Sequence, residues 1–151
     1  MATKSLFNAA DENEMLARID RLRADSPAVW GKMSVAQALA HCQMPLRVAT
    51  GELKLKHGLI GLLFGGIAKR TLTGPKDFSH DMPTDPKFVV KDARDFTRER
   101  GELVALVERF SKGGEQGLTR EKHPFFGALT TAQWEALMWK HLDHHMRQFG
   151  V

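Results

Sequence analysis

The sequence has little cysteine and no apolar run long enough to cross a membrane. A single cysteine, Cys42, excludes an intrachain disulfide. The longest apolar run, Gly58 to Ala68 (GLIGLLFGGIA), is well short of the roughly 20 residues that span a bilayer. It is expected to form a buried helix. Because Lys54, Lys56, Lys69 and Arg70 flank it, a segment lying on a membrane surface is the alternative reading. The Met-Ala-Thr-Lys-Ser opening lacks the apolar stretch of a secretory signal, so a cytoplasmic location is expected. Internal repeats, low-complexity tracts and β-hairpin signals are also missing.

The composition is that of one folded unit. With 42% hydrophobic and 26% charged residues in 151, the chain can bury about two-thirds of its unfolded surface without a disulfide or a second domain. A single domain over 1–151 is expected. The net charge of +4 permits attraction to anions. The basic residues, however, are interleaved with acids, as in DARDFTRERGELVALVERF, and no basic stripe carries aromatics. Neither nucleic acid nor a membrane is therefore an expected partner, and the chain is expected to act on a small molecule, alone or as a homodimer.

Apolar periodicity predicts helices throughout. Met15, Leu16, Ile19 and Leu22 recur at helical spacing over about 11–23, with Asp11 and Glu14 as the start signal. Ser26-Pro27 breaks the chain before Trp30 and Gly31. Ser34 and Gln37 form a capping box that opens a second helix running to about Thr50. Pro45 lies inside it and removes the hydrogen bond to the carbonyl of His41, so any kink falls at that histidine. A third helix is expected over about 56–72, its four glycines pointing to close packing. Residues 73–88, with three prolines, read as a long irregular connection of the kind that serves as a lid or a wrap. Phe96, Leu103, Leu106, Val107 and Phe110 mark a fourth helix over 92–110, stopped by Gly113 and Gly114. A connection containing His123-Pro124-Phe125-Phe126-Gly127 follows, and a Thr130/Gln133 capping box opens the last helix. Several amphipathic helices on one chain point to an all-α helical bundle.

Chemistry concentrates in the histidines. Seven are present, three of them in HLDHHMRQFG. With Trp134 at zero and about 100° per residue, Leu137, Met138, Leu142 and Phe149 define an inward sector centred at about 25°. His141 falls at about −20° and His145 at about 20°, both inside that sector. His144, at about −80°, sits at its edge and is the weaker ligand. Two buried imidazoles four residues apart are costly unless strongly partnered, and together they can chelate one metal ion. The spacing is not that of a zinc protease, because Leu142 occupies the place of that family's glutamate.

A third ligand has to come from a facing helix, and His41 is the best candidate. Rotation alone leaves it undecided: the stripe Val35, Leu39, Cys42 and Leu46 lies more than about 90° away, while Ala40, Met44 and Val48 offer a second apolar side. Cys42, about 100° from His41, reads as a buried inert thiol. His57 and His80 are helix-edge or loop residues without a partner at ligand spacing. His123 either approaches the site or caps its own loop. Gln148 shares the face of His141 and His145 and can hold a hydrogen bond to a ligand or a substrate.

HPFFGALTTAQW, KHLDHHMRQFGV and SVAQALAHCQM together resemble the DinB/YfiT-like metalloenzyme superfamily, over nearly the whole chain. The resemblance implies a four-helix bundle and a metal triad of one histidine from the second helix with an H-x-x-x-H pair from the last, here His41, His141 and His145. Nickel or zinc is the implied ion. A low-molecular-weight thiol such as mycothiol or bacillithiol is the implied co-substrate in relatives that resemble thiol transferases. Where related sequences carry His-Arg-Gly-Gln, this chain has His145-Met146-Arg147-Gln148. The expected function is metal-dependent hydrolysis or thiol transfer on a small molecule, with His144, Gln148 and His123 as supporting or substrate-contacting candidates. The alternative is a non-catalytic module whose histidines bind metal for stability or form a polar core.

Overall fold

A computed structural model describes residues 3–80, 82 and 84–151. Asp81 and Pro83 of the long connection, and Met1 and Ala2 of the opening, lie outside the described residues. The fold is all-helical: α1 (Ala9–Arg21), α2 (Val35–Ala49), α3 (Leu59–Thr73), α4 (Phe96–Gly113) and α5 (Thr131–Gln148), with 3-10 turns at Pro86–Phe88 and Glu115–Gly117. Among the described residues there is no strand, only an isolated antiparallel bridge between His123 and Gly127.

Both predicted capping boxes are present, Ser34 with Gln37 on α2 and Thr130 with Gln133 on α5. Two helix starts differ from expectation. α1 begins earlier because Asn8, not Asp11, accepts the free amides of Ala10 and Asp11, and the Asp11 carboxylate instead accepts the Ser5 amide. α4 begins later because Asp95 caps it at the Arg98 amide. Asp92 lies before it, and its carbonyl accepts the Gln37 side-chain amide of α2.

The core is one continuous cluster drawn mainly from α1, α2, α4 and α5, with Met15, Ile19, Leu39, Leu46, Leu103, Val107, Met138 and Leu142 among its members, and α3 adds Leu72 to it. α2 packs against α4 and α5, and α1 closes on the same pair. Because it is enclosed by neighbours, α2 is buried nearly all round, Pro45 included. Polar ties join the layers at its edge. Arg18 of α1 meets Asp143 of α5 at 2.6 Å and the carbonyl of Val151 at 3.0 Å. The buried pair Gln43 and Glu99 joins α2 to α4 at 2.7 Å.

α3 departs from the buried helix that its composition predicts. It packs mainly on α5 and its preceding loop, and the side it turns inward is the glycine side. A Cβ at Gly61 would stand 2.8 Å, and at Gly65 2.5 Å, from the Phe125 carbonyl oxygen. Two of the four glycines thus show the close packing expected, while Gly58 and Gly66 meet nothing within 4 Å. The consequence of that packing is that Leu59, Leu62, Leu63 and Ile67, on the other side, are 70–82% exposed.

Candidate metal centre

The α2 and α5 capping boxes set the helical phase that aims His41, His141 and His145 at one another. Their ring centroids form a nearly equilateral triangle with sides of 4.8, 4.7 and 4.8 Å. Among the described residues this is the one group of three or more potential metal-binding side chains, and its donor atoms all lie within 4.8 Å of one another. An ion bound about 2.1 Å from each nitrogen needs donors no more than about 4.2 Å apart. A spread of up to 4.8 Å is wider than that, so the rings would draw together on an ion that all three share.

Two of the rings are oriented from behind. His41 donates its Nδ1–H to the carbonyl of Phe88 at 2.8 Å, which leaves Nε2 as a lone pair facing the cluster. Phe88 belongs to the 3-10 turn that Asp85 caps, so the irregular 73–88 connection acts here as a wrap that fixes a ring. His145 is held through Gln148. The Gln148 Nε2 donates to the Trp30 carbonyl at 2.9 Å, which turns its Oε1 toward His145 Nδ1 at 2.8 Å. The oxygen can only accept, so Nδ1 carries the proton and Nε2 is the donor atom. Gly31 makes room for this amide: its φ is +79°, and a Cβ there would fall 2.5 Å from Gln148 Nε2.

His141 completes the triangle by its Nε2, 2.9 Å from Nε2 of His41. Since His41 offers a lone pair there, His141 donates the proton in this arrangement. Giving that nitrogen to an ion moves the proton to Nδ1. Burial lowers the pKa of all three rings: His145 is pushed down to about 3 by desolvation and then by His41, and His141 lies well below the usual imidazole value. His41 is lowered too, although the Phe88 carbonyl opposes the shift. The cluster is neutral near pH 7, the form in which imidazoles bind metals.

His144 stands outside the triangle, as its rotation predicts. Its ring meets His145 edge-on at 5.1 Å and Trp30 at 5.5 Å. Trp30 in turn stacks on His80 at 3.8 Å, the rings nearly parallel. These loop aromatics beside the centre were not identifiable from spacing, because loop residues have no period. His123 takes the loop-capping course: its Nδ1 accepts the amides of Phe125 and Phe126, and its ring packs on Phe126 and Trp134. Cys42 is fully buried, and desolvation raises its thiol pKa, consistent with an inert side chain. Asp143, the acid between the two α5 ligands, is engaged by Arg18 and by Arg147 at 2.7 Å.

The model of the family described as "Protein of unknown function (DUF1569)" matches residues 1–150, and the chain belongs to that family. No curated protein and no solved structure matches it.

Proposed function

For a DUF1569 chain built this way, we propose a four-helix bundle of the DinB/YfiT type that holds one divalent transition ion, nickel or zinc, on His41, His141 and His145. The observation that carries the reading is the pre-orientation of two Nε2 lone pairs, by the Phe88 carbonyl and by Gln148, toward a third imidazole at their centre. Anchoring the far nitrogen of a ligating histidine is the usual second layer of metal sites. Three protein ligands leave a position open, which is the pattern of catalytic rather than closed structural sites.

A divalent ion so bound supplies Lewis acidity, lowering the pKa of a bound water or thiol so that its anion serves as nucleophile near neutral pH. The chain's own contribution is to fix the ligands and to shape access. Trp30, His80 and His144 flank the centre with aromatic surface. Hydrolysis or thiol transfer on a small molecule in the cytoplasm is the proposed activity, with a low-molecular-weight thiol as the co-substrate in the second case.

The direct 2.9 Å bond between His41 and His141 favours a second reading, a metal-free polar network inside the core. Metal content separates the two. Protein purified without a histidine tag is expected to carry about one equivalent of nickel or zinc by mass spectrometry. His145→Ala is expected to lose it. A metal-free wild type whose melting does not respond to either ion would remove the metal reading. If metal binds, a screen of thiol cofactors and ester substrates distinguishes an enzyme from a structural site.

A further inference from the structure

The outward face of α3 is the largest departure from ordinary burial in the molecule. Leu59, Leu62, Leu63 and Ile67 are 82, 79, 74 and 70% exposed. By helical rotation Leu59, Leu63 and Arg70 lie within about 40° of one another, with Leu62 and Ile67 on either side. The face is thus an aliphatic stripe that ends in an exposed arginine. Contiguous apolar surface of this kind marks a place where something docks.

The side chains cannot turn inward to relieve the exposure. Gly61 and Gly65 hold the opposite face of the helix against the Phe125 backbone, so closely that no Cβ fits between. Both ends of the final turn are tied as well: Lys69 Nζ reaches the Ala128 carbonyl and Lys140 Nζ reaches the carbonyls of Gly74 and Lys76. The packing itself determines that the leucines face out.

Charge identifies the occupant. From Leu53 to Lys76 the sequence contains five lysines and arginines and no acid, although Lys54 is paired with Glu121 and Lys69 is held by the Ala128 carbonyl. Lys56 and Arg70 are exposed at the two ends of the stripe. A second copy of the chain docked by the same face would set these cations against their equals, with no acid in the segment to answer them. An anionic surface with an apolar layer beneath it answers both halves of the pattern. At 15 residues α3 is about 22 Å long, too short to cross a bilayer, and among the described residues no helix is long and apolar enough to do so. We infer that α3 docks the protein on an anionic lipid membrane, its leucines in the acyl boundary and its flanking cations among the headgroups.

The test is sedimentation of the full-length, tag-free protein with vesicles of equal parts phosphatidylglycerol and phosphatidylcholine, beside vesicles of phosphatidylcholine alone. Wild type is expected to pellet with the anionic vesicles only, and to be released by added salt. Replacing both Leu62 and Leu63 with Asp is expected to weaken partitioning by about a hundredfold or more, from the apolar area lost. Arg70→Gln is expected to weaken it about fivefold. Both leucines are exposed, so the variant's helical circular dichroism and melting should match wild type, which separates loss of docking from loss of fold. Equal binding to both vesicle types, or binding that survives the double substitution, overturns the inference. So does a wild type that ignores vesicles. In that case a dimer abolished by the same double substitution assigns the face to a second copy, and a monomer leaves it without either occupant.

Discussion

α5 and α3 invert the usual distribution of side chains in opposite directions. α5 turns two imidazoles into the core, where desolvation keeps them neutral. α3 turns four large aliphatic side chains into water. Each helix tolerates what would otherwise cost stability because something else holds it in place. For α5 that is a capping box, the Arg18–Asp143 pair and apolar neighbours such as Leu142 and Met146. For α3, which has no side-chain cap, it is backbone-to-backbone approach at two glycines, with Leu72 buried in the core at its far end. Departures of this kind are where a sequence answers to function rather than to folding alone.

The sharpest way to break the comparison is acid, because buried imidazoles lie on α5 and in the loop before it, and α3 itself has none. In the folded chain His145 takes a proton only near pH 3 and His123 only near pH 4, while unfolded imidazoles titrate at about 6.5. Between those values the unfolded chain binds more protons, so the stability these groups contribute is complete above about pH 6.5 and is lost as pH falls toward 4. His41 and His141 add in the same direction. Melting temperatures of metal-free protein from pH 7 to 4 should fall steeply. A flat profile would mean that the triad is solvated. α3 contains no residue that titrates in this range.

Truncating one leucine on each helix comes next in size. Leu142→Ala should cost about 2–5 kcal/mol in urea denaturation, since it leaves a cavity in the core. Leu63→Ala should stay within about 0.5 kcal/mol, since its side chain is in water. Equal costs would show that α3 is covered within the monomer. The smallest effect compares adjacent glycines. Gly65→Ala drives a methyl into the Phe125 carbonyl and should destabilise by about 1–3 kcal/mol. Gly66→Ala meets nothing within 4 Å and should stabilise the helix by about 0.5–1 kcal/mol. If both substitutions stabilise, α3 is not held by its glycine face.

The legible parts of this protein were those with a local cause. Ser34 with Gln37 and Thr130 with Gln133 announced two helices because each box is satisfied within four residues. Asn8 and Asp95 are the caps that spacing does not single out, because other acids stand close by: the Asp11 carboxylate turns back to the Ser5 amide and the Asp92 carboxylate pairs with Arg94. The α5 pair was readable from rotation. His41 was not, because rotation presumes one buried side and α2 is buried on nearly every side. The GLIGLLFGGIA run was misjudged for a related reason: apolar content shows that a helix can be covered, not that a neighbour exists to cover it. Trp30 and His80 belong to loops, where no period aims a side chain.

The two carbonyls that steady the triad come from far along the chain. Phe88 lies 47 residues from the histidine it orients, and Trp30 lies 118 residues from the glutamine it holds. Neither can be in place until the amino-terminal loop and the central connection have both settled on the helices. Local helix formation takes microseconds or less, and contacts of such long span come late. A visible ion such as cobalt, added during refolding, should therefore report the last event of assembly rather than the first, with the colour of the centre lagging the recovery of helicity.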